Sequence, residues 1–473
     1  MSGIQKQQLV NINYKVINDI IHGNINISNL ACMIIDTHEF QRLRKLRQLG
    51  MCNYVFPSAA HTRFEHSIGT YHLTEKMLNC IIRTTNREII NEYMIKIPEL
   101  SKYYETKTNK KSALLDKYVC ELIKIAGLCH DIGHGPFSHV FDNVFLPEVN
   151  LTSEMSEHEN RSNKIIEHVI KNNSELCEII TNDEIEFIKN VIHPKTNNKG
   201  FVYQIVSNDV NGIDVDKFDY LQRDVKMVGN NNFFTCDRLM DSATIINENI
   251  CYPVQCFHQI LTMYEMRYNL HKQIYLHKAV LSIEFMMCEL MILMDPILKI
   301  SESIDDVLEF CKLSDNYILE SINVIHNMKH IMKLTDENKN NYHKAQKIMK
   351  KIEERDIYKM ICYHLNENNL EISKEKLLLC DNEIDIDNII IHVTKVGIVS
   401  GDKTNPLDNI SFYDTKLLSN QQELEEIKMN KKHISLLIPN VYQEYMHMIY
   451  IKNKIDDEQF LKIKNAFQKL TNV

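Results

Sequence analysis

The sequence predicts a mainly α-helical protein with a smaller α+β lobe at its C-terminal end. Most of residues 60–365 carries apolar residues at the three- and four-residue spacing of helices. After about residue 385, β-branched residues alternate with polar ones, which is typical of strands. A chain of 473 residues is longer than one compact core usually holds. We therefore expect one large lobe and at least one further lobe.

Several segments of the first lobe have one apolar face. In SALLDKYVCELIKIAGLC, the apolar residues from Leu115 to Cys129 recur at steps of three and four, which predicts a helix with a buried stripe. RFEHSIGTYHLTEKMLNCII, NGIDVDKFDYLQRD, MRYNLHKQIYLHK and AVLSIEFMMCELMILMDP also predict helices. The polar stretches ETKTNKKS, KTNNKG and DENKNNYHK predict loops.

The C-terminal lobe begins with a different pattern. IDNIIIHVTKVGIVSG and YMHMIYI are rich in β-branched residues and predict strands. The last periodic segment, DEQFLKIKNAFQKL, predicts a closing helix.

Composition and charge narrow the class of protein. A net charge of −9 gives no general basic surface for nucleic acid. The N-terminal MSGIQKQQLVNINYK lacks the apolar core of a signal peptide. Acidic residues interrupt the most apolar segment, so we expect no membrane span. The 13 cysteines contain no C-x-x-C pair, which indicates free thiols in a reducing compartment. We expect an intracellular protein of the nucleus or the cytoplasm.

The stretch LCHDIGHGPFSH concentrates ligand-type side chains where a helix must end. His130 and His134 are four residues apart, which places both on one face of a helix. Gly135 and Pro136 then disfavour further helix, and we expect the turn to return His139 to the same side. As an alternative, these histidines cap a helix C-terminus. That alternative suits one histidine better than four polar groups at the buried end of an apolar helix.

Further donors lie upstream and downstream. HTRFEHSIG supplies His66, with Arg63 one turn before it. NGIDVDKFDYLQRD supplies Asp214, Asp216, Asp219 and Asp224, of which Asp216 and Asp224 share a helical face with Tyr220. Mixed histidine and carboxylate donors suit iron, manganese, zinc or magnesium without selecting one. The alternative for the acidic stretch alone is a solvated helix.

MRYNLHKQIYLHK carries cationic and hydroxyl groups along one side. Arg267, His271, Tyr275 and Lys278 recur at helical spacing. Such groups suit a polyphosphate and a sugar. A plain surface stripe is an equally simple explanation of this segment by itself.

The order of His66, His130-Asp131 and Asp216 is the H…HD…D pattern of the HD phosphohydrolase superfamily. FPSAAHTRFEHSIGT, IAGLCHDIGHGPFSHVFD, NGIDVDKFDYLQRD and NPLDNISFYD further resemble the SAM-and-HD-domain deoxynucleotide triphosphohydrolases. The similarity runs from about residue 15 to the end. It implies a short polar tail over residues 1–14, an HD-type helical phosphohydrolase core as the catalytic domain over residues 15–335, and a C-terminal α+β regulatory and oligomerisation lobe over residues 336–473. Since only a short stretch precedes Lys15, we expect the SAM domain to be absent.

The resemblance implies roles for individual residues. The metal ligands correspond to His66, His130, Asp131 and Asp216, and Asp216 also belongs to the catalytic set. His139 corresponds to the general acid or base beside the α-phosphate, with His134 and His158 along the triphosphate. Arg63, Lys217 and Arg267 correspond to phosphate-binding residues. The sugar and its surroundings correspond to Gln48, Leu49, Tyr220, Asp224 and Tyr275, with Tyr275 against C2′.

The implied reaction converts a dNTP and water into a deoxynucleoside and inorganic triphosphate. It uses a divalent or transition metal in the HD site and Mg²⁺ bound with the nucleotide phosphates. Family members are activated by GTP and dNTPs, which assemble homodimers into homotetramers. The guanine-nucleotide activator site corresponds to Lys15, Val16, Asn18, Asp36, Gln41, Arg44, Arg355 and Lys359. The deoxynucleotide activator site corresponds to Val55, Phe56, Arg238, His277, Lys278 and Lys403.

The sequence departs from the family pattern at two places. Pro253 to Gln255 replace a basic Arg-x-Lys near the second activator site, which removes two cations. Leu276 stands where the family has a glutamine near the substrate base, so the base preference can differ.

Two other functions remain open at this point. One is an HD-type phosphohydrolase or phosphodiesterase that acts on another nucleotide, although the sugar-binding set argues against it. The other is an inactive nucleic-acid-binding scaffold. The acidic net charge does not favour it, because non-specific binding depends on phosphate neutralisation.

Overall fold

Helices dominate the chain up to residue 353, as the apolar spacing predicts. The computed structural model describes residues 3–10, 13–107, 112–151, 153–230, 234–328, 334–397, 406–416, 424–429 and 441–471. The helices of this part are α1 (Gly3–Val10), α2 (Asn29–Ile35), α3 (His38–Gln41), α4 (Arg63–Thr84), α5 (Arg87–Met94), α6 (Ser101–Glu105), α7 (Lys117–Cys129), α8 (Leu146–Glu148), α9 (His158–Asn172), α10 (Ser174–Ile179), α11 (Asn182–Ile192), α12 (Val215–Met227), α13 (Asp237–Asp241), α14 (Phe257–Leu270), α15 (Lys278–Leu298), α16 (Val307–Phe310), α17 (Asp315–Met328) and α18 (Asp336–Glu353).

Three small sheets complete the fold. Their strands are β1 (Asn13–Asp19), β2 (Gly23–Ser28), β3 (Thr244–Ile246), β4 (Asn249–Pro253), β5 (Lys359–Asn366), β6 (Ile389–Gly397), β7 (Ser411–Tyr413) and β8 (Gln443–Ile451). β1 and β2 form an antiparallel hairpin, β4 lies between antiparallel β3 and parallel β7, and β8 pairs antiparallel with both β5 and β6. The C-terminal lobe also contains α19 (Lys374–Cys380) and α20 (Asp457–Thr471). The mainly α fold with a smaller α+β lobe is confirmed.

Two large hydrophobic cores and one small cluster, formed by Ile246, Cys251 and Tyr413, hold these elements together. The main core joins the helices around the buried faces of α4 and α7 and extends to Met446, Met448 and Tyr450 on β8. A second core packs α19 and α20 against β5, β6 and β8, with Leu377 and Ile449 fully buried. Because α18 belongs to the main core, the proposed boundary after residue 335 separates a helix from the body on which it packs.

The prediction of a loop at DENKNNYHK was wrong, because this stretch begins α18. Thr335 caps the helix by accepting a hydrogen bond from the backbone N–H of Asn338. The apolar stripe starts only at Tyr342 and continues through Ala345, Ile348 and Ile352, all buried. The Asn- and Lys-rich first turns therefore concealed the helical period.

The N-terminal segment over residues 1–14 includes a packed helix. On α1, the Lys6 ammonium is buried and lies 2.8 Å from Glu184 Oε1. Thus the polar stretch contributes an ion pair to the body of the protein. In the described part of the chain, no helix is both long and apolar enough to cross a membrane. All thirteen cysteines are free thiols, as the sequence predicts.

Candidate active site

Helices α4 and α12 and the turn after α7 bring the predicted metal ligands together. A capping box between Thr62 and Glu65 starts α4 and places His66 in its first turns. The His66 Nε2 atom lies 3.3 Å from His130 Nε2, 3.4 Å from Asp131 Oδ2 and 3.1 Å from Asp216 Oδ1. The ligand atoms of His66, His130 and Asp131 all lie within 4.8 Å of one another. Four donors from three distant parts of the sequence thus surround one point.

The second ring nitrogen of each histidine is already hydrogen-bonded. His66 Nδ1 donates to Asp219 Oδ2 at 2.8 Å, and His130 Nδ1 donates to the Gly127 carbonyl at 2.8 Å. Each ring is therefore fixed with Nε2 toward the centre, as metal-ligating histidines usually are. Burial disfavours a charged His66, but hydrogen bonds to Asp216 and Asp219 outweigh it and raise the pKa of His66 to about 10. The centre is short of positive charge, and its donors fit a divalent metal ion.

His134 takes a different direction from the one predicted. The helix α7 ends at Cys129, so the four-residue spacing of His130 and His134 is not a helical repeat here. The His134 ring instead stacks on His158, with ring centroids 3.8 Å apart. The two histidines therefore do not share a helical face, and that part of the prediction was wrong.

His134, His139 and His158 form a second group beside the metal ligands. The centroid of His139 lies 5.2 Å from that of His134 and 6.3 Å from that of His158. Gly133 permits this arrangement, because a Cβ atom there would lie 2.2 Å from the His158 carbonyl oxygen. Desolvation, and then the positive charges of Arg63 and His158, lower the pKa of His139. A neutral imidazole therefore faces the cavity when no anion is bound.

A cavity of about 620 Å³ opens beside both groups. This volume lies within the range of small-molecule sites. Every residue predicted to touch substrate or to act in catalysis lines the cavity, while His66 and His130 lie behind it. Those lining residues are Gln48, Leu49, Arg63, His134, His139, His158, Asp216, Lys217, Tyr220, Asp224, Arg267 and Tyr275.

Several buried polar atoms of the cavity residues have no hydrogen-bond partner among the described residues. They are Arg63 Nη2, Gln48 Oε1, Arg267 Nε and His134 Nδ1. The rest of the Arg63 guanidinium is held by an ion pair with Asp131 and by a 2.8 Å hydrogen bond to Ser138 Oγ. Since an unpaired buried polar atom is costly, the arginine nitrogens are suited to an anionic ligand and the Gln48 oxygen to a hydrogen-bond donor such as a hydroxyl.

Asp224, which lines the same cavity, is held by two neighbouring side chains. His61 Nε2 lies 2.7 Å from Asp224 Oδ1, and the Tyr275 hydroxyl donates to Asp224 Oδ2. Tyr275 lies in a π-helical turn, His271–Tyr275, between α14 and α15. This turn keeps Arg267, His271 and Tyr275 on the cavity side, whereas Lys278 begins α15 and is not among the described lining residues.

Sequence reasoning missed several residues of this site. His61 lies in HTRFEH, but its spacing from the other histidines is not one that predicts a metal ligand. His392, Thr394 and Lys395 of β6 line the cavity from the C-terminal lobe, and only the tertiary fold could place them there. Glu284 of α15 also lines it, although the sequence suggested only a charge interrupting an apolar helix. Leu276 lies in the same lining beside Tyr275.

Glu284 gives a pH-dependent prediction. Burial raises the pKa of Glu284 from 4.5 to about 8. Between these values the folded chain binds a proton that the unfolded chain releases, so this group lowers the free energy of unfolding as pH rises. Glu284→Gln should remove that loss, so the variant should gain about 2 kcal/mol of stability over wild type between pH 5 and pH 8. This figure is smaller than the full pKa shift would give, because the carboxyl lines an open cavity.

Urea unfolding of both proteins from pH 5 to pH 9 measures this difference. Glu265→Gln, on an exposed position of α14, is the matched control and should show a constant offset. A Glu284→Gln offset that is equally constant across the range would contradict the assigned environment.

The predicted activator residues lie on several elements of the structure. Lys15, Val16 and Asn18 lie on β1, and Lys15 Nζ is 3.2 Å from Asp36 Oδ1 after α2. Gln41 and Arg44 follow, joined by a 2.8 Å hydrogen bond. Val55 and Phe56 follow a 3-10 turn, and the centroid of the Phe56 ring lies 5.6 Å from that of the His277 ring. The other described residues are Arg238 on α13, Lys278 on α15, Arg355 after α18 and Lys359 on β5. Lys403 lies outside the described residues.

The substituted stretch Pro253–Gln255 leads from β4 into α14. The Gln255 side chain donates to Thr415 Oγ1 at 3.0 Å. Here an amide occupies a position for which the family pattern has a cation.

Comparisons with known proteins agree with the geometry. Residues 113–224 match the HD domain family. The chain is 41% identical over 464 residues to an HD domain-containing protein of Acanthamoeba polyphaga mimivirus, covering 95% of each chain. It is 32% identical to the deoxynucleoside triphosphate triphosphohydrolase SAMHD1 homolog of Dictyostelium discoideum, over 96% of this chain and 80% of that one. The Homo sapiens deoxynucleoside triphosphate triphosphohydrolase SAMHD1 is also 32% identical, over 98% of this chain and 74% of its own.

Proposed function

Because the chain belongs to the HD-domain family of deoxynucleoside triphosphate triphosphohydrolases, we propose that it hydrolyses dGTP and other dNTPs. The products would be the deoxynucleoside and inorganic triphosphate. One observation carries this proposal: a single cavity joins the metal-ligating group, unpaired cationic atoms and a fixed Asp224–Tyr275 pair. The metal-ligating group suits a reacting phosphate, the cationic atoms suit the neighbouring phosphates, and the Asp224–Tyr275 pair suits a sugar.

The metal centre and the cationic side chains have different roles toward the triphosphate. A divalent metal held by His66, His130, Asp131 and Asp216, be it iron, manganese, zinc or magnesium, supplies Lewis-acid chemistry when bound. Arg63, Lys217 and Arg267 bind phosphate oxygens and neutralise their charge, together with Mg²⁺ carried by the nucleotide. The unpaired Arg63 Nη2 favours this role, since the remainder of that guanidinium is already engaged.

His139 is proposed to hold the proton that the leaving 5′-oxygen receives. Desolvation by burial, and then Arg63 and His158, lower the pKa of His139 in the free cavity. A bound triphosphate adds negative charge beside the same ring and counters that effect. Substrate binding therefore charges the acid that the reaction needs, while His134 and His158 line the triphosphate.

The substrate test compares four dNTPs under the same set of conditions. Purified protein is incubated with dGTP, dATP, dCTP or dTTP and with Mg²⁺ or Mn²⁺, with and without GTP. Anion-exchange chromatography should show a deoxynucleoside and intact triphosphate. Formation of a deoxynucleoside mono- or diphosphate would contradict the proposal. Hydrolysis of an unrelated phosphodiester but of none of the four dNTPs would also contradict it.

The Tyr275 ring is proposed to exclude the ribose 2′-hydroxyl. Tyr275→Ala should raise GTP hydrolysis relative to dGTP by about 10-fold or more, because one hydroxyl is otherwise rejected by contact with the ring. Tyr275→Phe keeps the ring but loses the bond to Asp224, so it should preserve rejection of GTP. The ratio of kcat/KM for dGTP and GTP measures this. Tyr317→Ala, on a solvent-accessible position of α17, is the control, and an unchanged ratio in Tyr275→Ala would refute the role.

We propose that nucleotides bound at the two activator sites regulate the activity, and that the lobe over residues 336–473 takes part in this regulation and in oligomerisation. GTP or dGTP should shift the protein from monomer or homodimer to homotetramer, as light scattering coupled to size exclusion would measure. Arg44→Ala should weaken the response to GTP because it removes a cation that suits phosphate. A mass that stays fixed while activity is present would contradict nucleotide-driven assembly.

A further inference from the structure

The turn between β1 and β2 lies against the back of the metal-ligand group. Residues 20–22 form this turn, and the chain re-enters the sheet at Gly23. Asp19 Oδ1 accepts hydrogen bonds from the backbone N–H groups of Ile21 and His22 at 2.8 and 2.9 Å. The Lys226 ammonium of α12 also donates to the Ile20 carbonyl at 2.7 Å. The turn is therefore both internally braced and attached to α12.

Asp219 connects this turn to His66. His22 Nε2 lies 2.7 Å from Asp219 Oδ1, and His66 Nδ1 lies 2.8 Å from Asp219 Oδ2. Arg223 donates to both oxygens of Asp219 and, through Nη1, to Asp19 Oδ2 at 2.8 Å. The Asp219 carboxylate is fully buried and accepts four hydrogen bonds. Each oxygen is thereby held in place from two sides.

The packing of α4 is adapted to this carboxylate. Gly69 lies one turn after His66, and a Cβ atom there would lie 1.8 Å from Asp219 Oδ1. Any larger residue would displace the carboxylate from the helix. The contact between α4 and Asp219 is therefore built into the fold and does not arise from a chance side-chain rotamer.

We propose that the β1–β2 turn is a structural part of the metal centre, in which His22 and Asp19 act as positioning residues for the ligand His66 through Asp219. His22 touches neither the centre nor the cavity. It fixes one oxygen of Asp219, and Asp219 fixes the tautomer and ring direction of His66 with the other. A direct hydrogen-bond partner of a metal ligand, as Asp219 is of His66, usually changes metal affinity about 10- to 100-fold when it is removed. His22 acts one hydrogen bond further away, so its removal should have an effect at the lower end of that range.

The same hairpin carries Lys15, Val16 and Asn18, which are the proposed activator contacts on β1. Ordering of the hairpin and retention of the metal should therefore favour each other, since energetic coupling between two sites is reciprocal. This consequence rests on the proposed function, whereas the positioning of His66 requires only the metal.

Metal binding without nucleotide tests the positioning role. Mn²⁺ affinity is measured by competition with a fluorescent chelator for wild type, His22→Ala, His22→Gln and His72→Ala. His22→Ala should weaken Mn²⁺ binding about 10-fold, the lower end of the range for a direct partner of a metal ligand. His22→Gln should recover part of the loss, because its amide N–H can still donate to Asp219. His72, whose ring centroid is 5.3 Å from that of His22, belongs to no step of this connection and should change affinity less than about 2-fold by the same reasoning.

Hydrogen exchange gives a second measurement. Mn²⁺ should slow exchange of the backbone amides over residues 13–28 in wild type and His22→Gln, and much less in His22→Ala. Asp19→Asn, which weakens the Arg223 pair, should act in the same direction if His22→Ala folds poorly. A folded His22→Ala with wild-type Mn²⁺ affinity, or one that loses only thermal stability, would overturn the inference. Absence of Mn²⁺ binding in wild type would also contradict the metal centre of the proposed function, whereas normal Mn²⁺ effects without dNTP turnover would contradict that function alone.

Discussion

Replacing His130 and Asp131 together by alanine should abolish metal retention and lower dNTP turnover by at least about 1,000-fold. Both side chains contribute donors within 4.8 Å of His66, and two of four ligands would be lost. A bound metal contributes several kcal/mol to stabilising charge at a phosphoryl group, and each 1.36 kcal/mol is a factor of ten in rate. Metal content per chain by mass spectrometry and kcat for dGTP measure the two effects.

The design needs controls for folding. Asp131 also pairs with buried Arg63, so the double variant leaves a buried cation without its carboxylate. Asp216→Asn weakens the same ligand group while leaving that pair intact and should give a loss of the same kind. Asp336→Ala with His343→Ala, both exposed on α18, should retain metal and activity. Full turnover in a folded His130→Ala/Asp131→Ala protein would refute the site.

Replacing His139 by asparagine should lower kcat by about 100- to 10,000-fold, which is the usual contribution of a general acid. KM and metal content should change little, because His139 lines the cavity but is not among the grouped metal donors. If His139 delivers the proton to the 5′-oxygen, the wild-type rate must fall as pH rises through its pKa in the substrate complex. His139→Asn should lose that basic limb of the pH profile.

The measurement is the pH dependence of kcat under saturating dGTP. His343→Asn, an exchange of the same type on the exposed surface of α18, should leave the profile unchanged. A His139→Asn enzyme with the wild-type rate and profile would assign the proton to another group, and His158 would then be the next residue to test.

Local spacing predicted the parts of the site that one element contributes. Asp216, Tyr220 and Asp224 were placed on one face of α12, and all three line the cavity. The same spacing cannot give the direction of a ring after a helix has ended, which is why His134 was misplaced. After the end of α7 at Cys129, the direction of the chain is set in part by tertiary contacts such as the close approach of α9 to Gly133.

The periodicity of the sequence does not predict contacts between distant segments. His22 and Asp219 are 197 residues apart, and no periodicity relates them. Residues of β6 reach the cavity from a lobe whose strands the sequence did predict, but strand prediction carries no information on what the strand packs against. The α18 stretch shows the converse: helical surface rich in Asn and Lys resembles a loop until the buried positions are known.

The most direct measurement of the central claim is mass spectrometry of both products formed from dGTP in water labelled with oxygen-18. Hydrolysis at the α-phosphorus predicts unlabelled deoxyguanosine and inorganic triphosphate that carries one oxygen-18 atom, in equal amounts. Labelled deoxyguanosine would place the break at the sugar carbon instead. Formation of dGMP or dGDP would contradict triphosphohydrolase chemistry at this site.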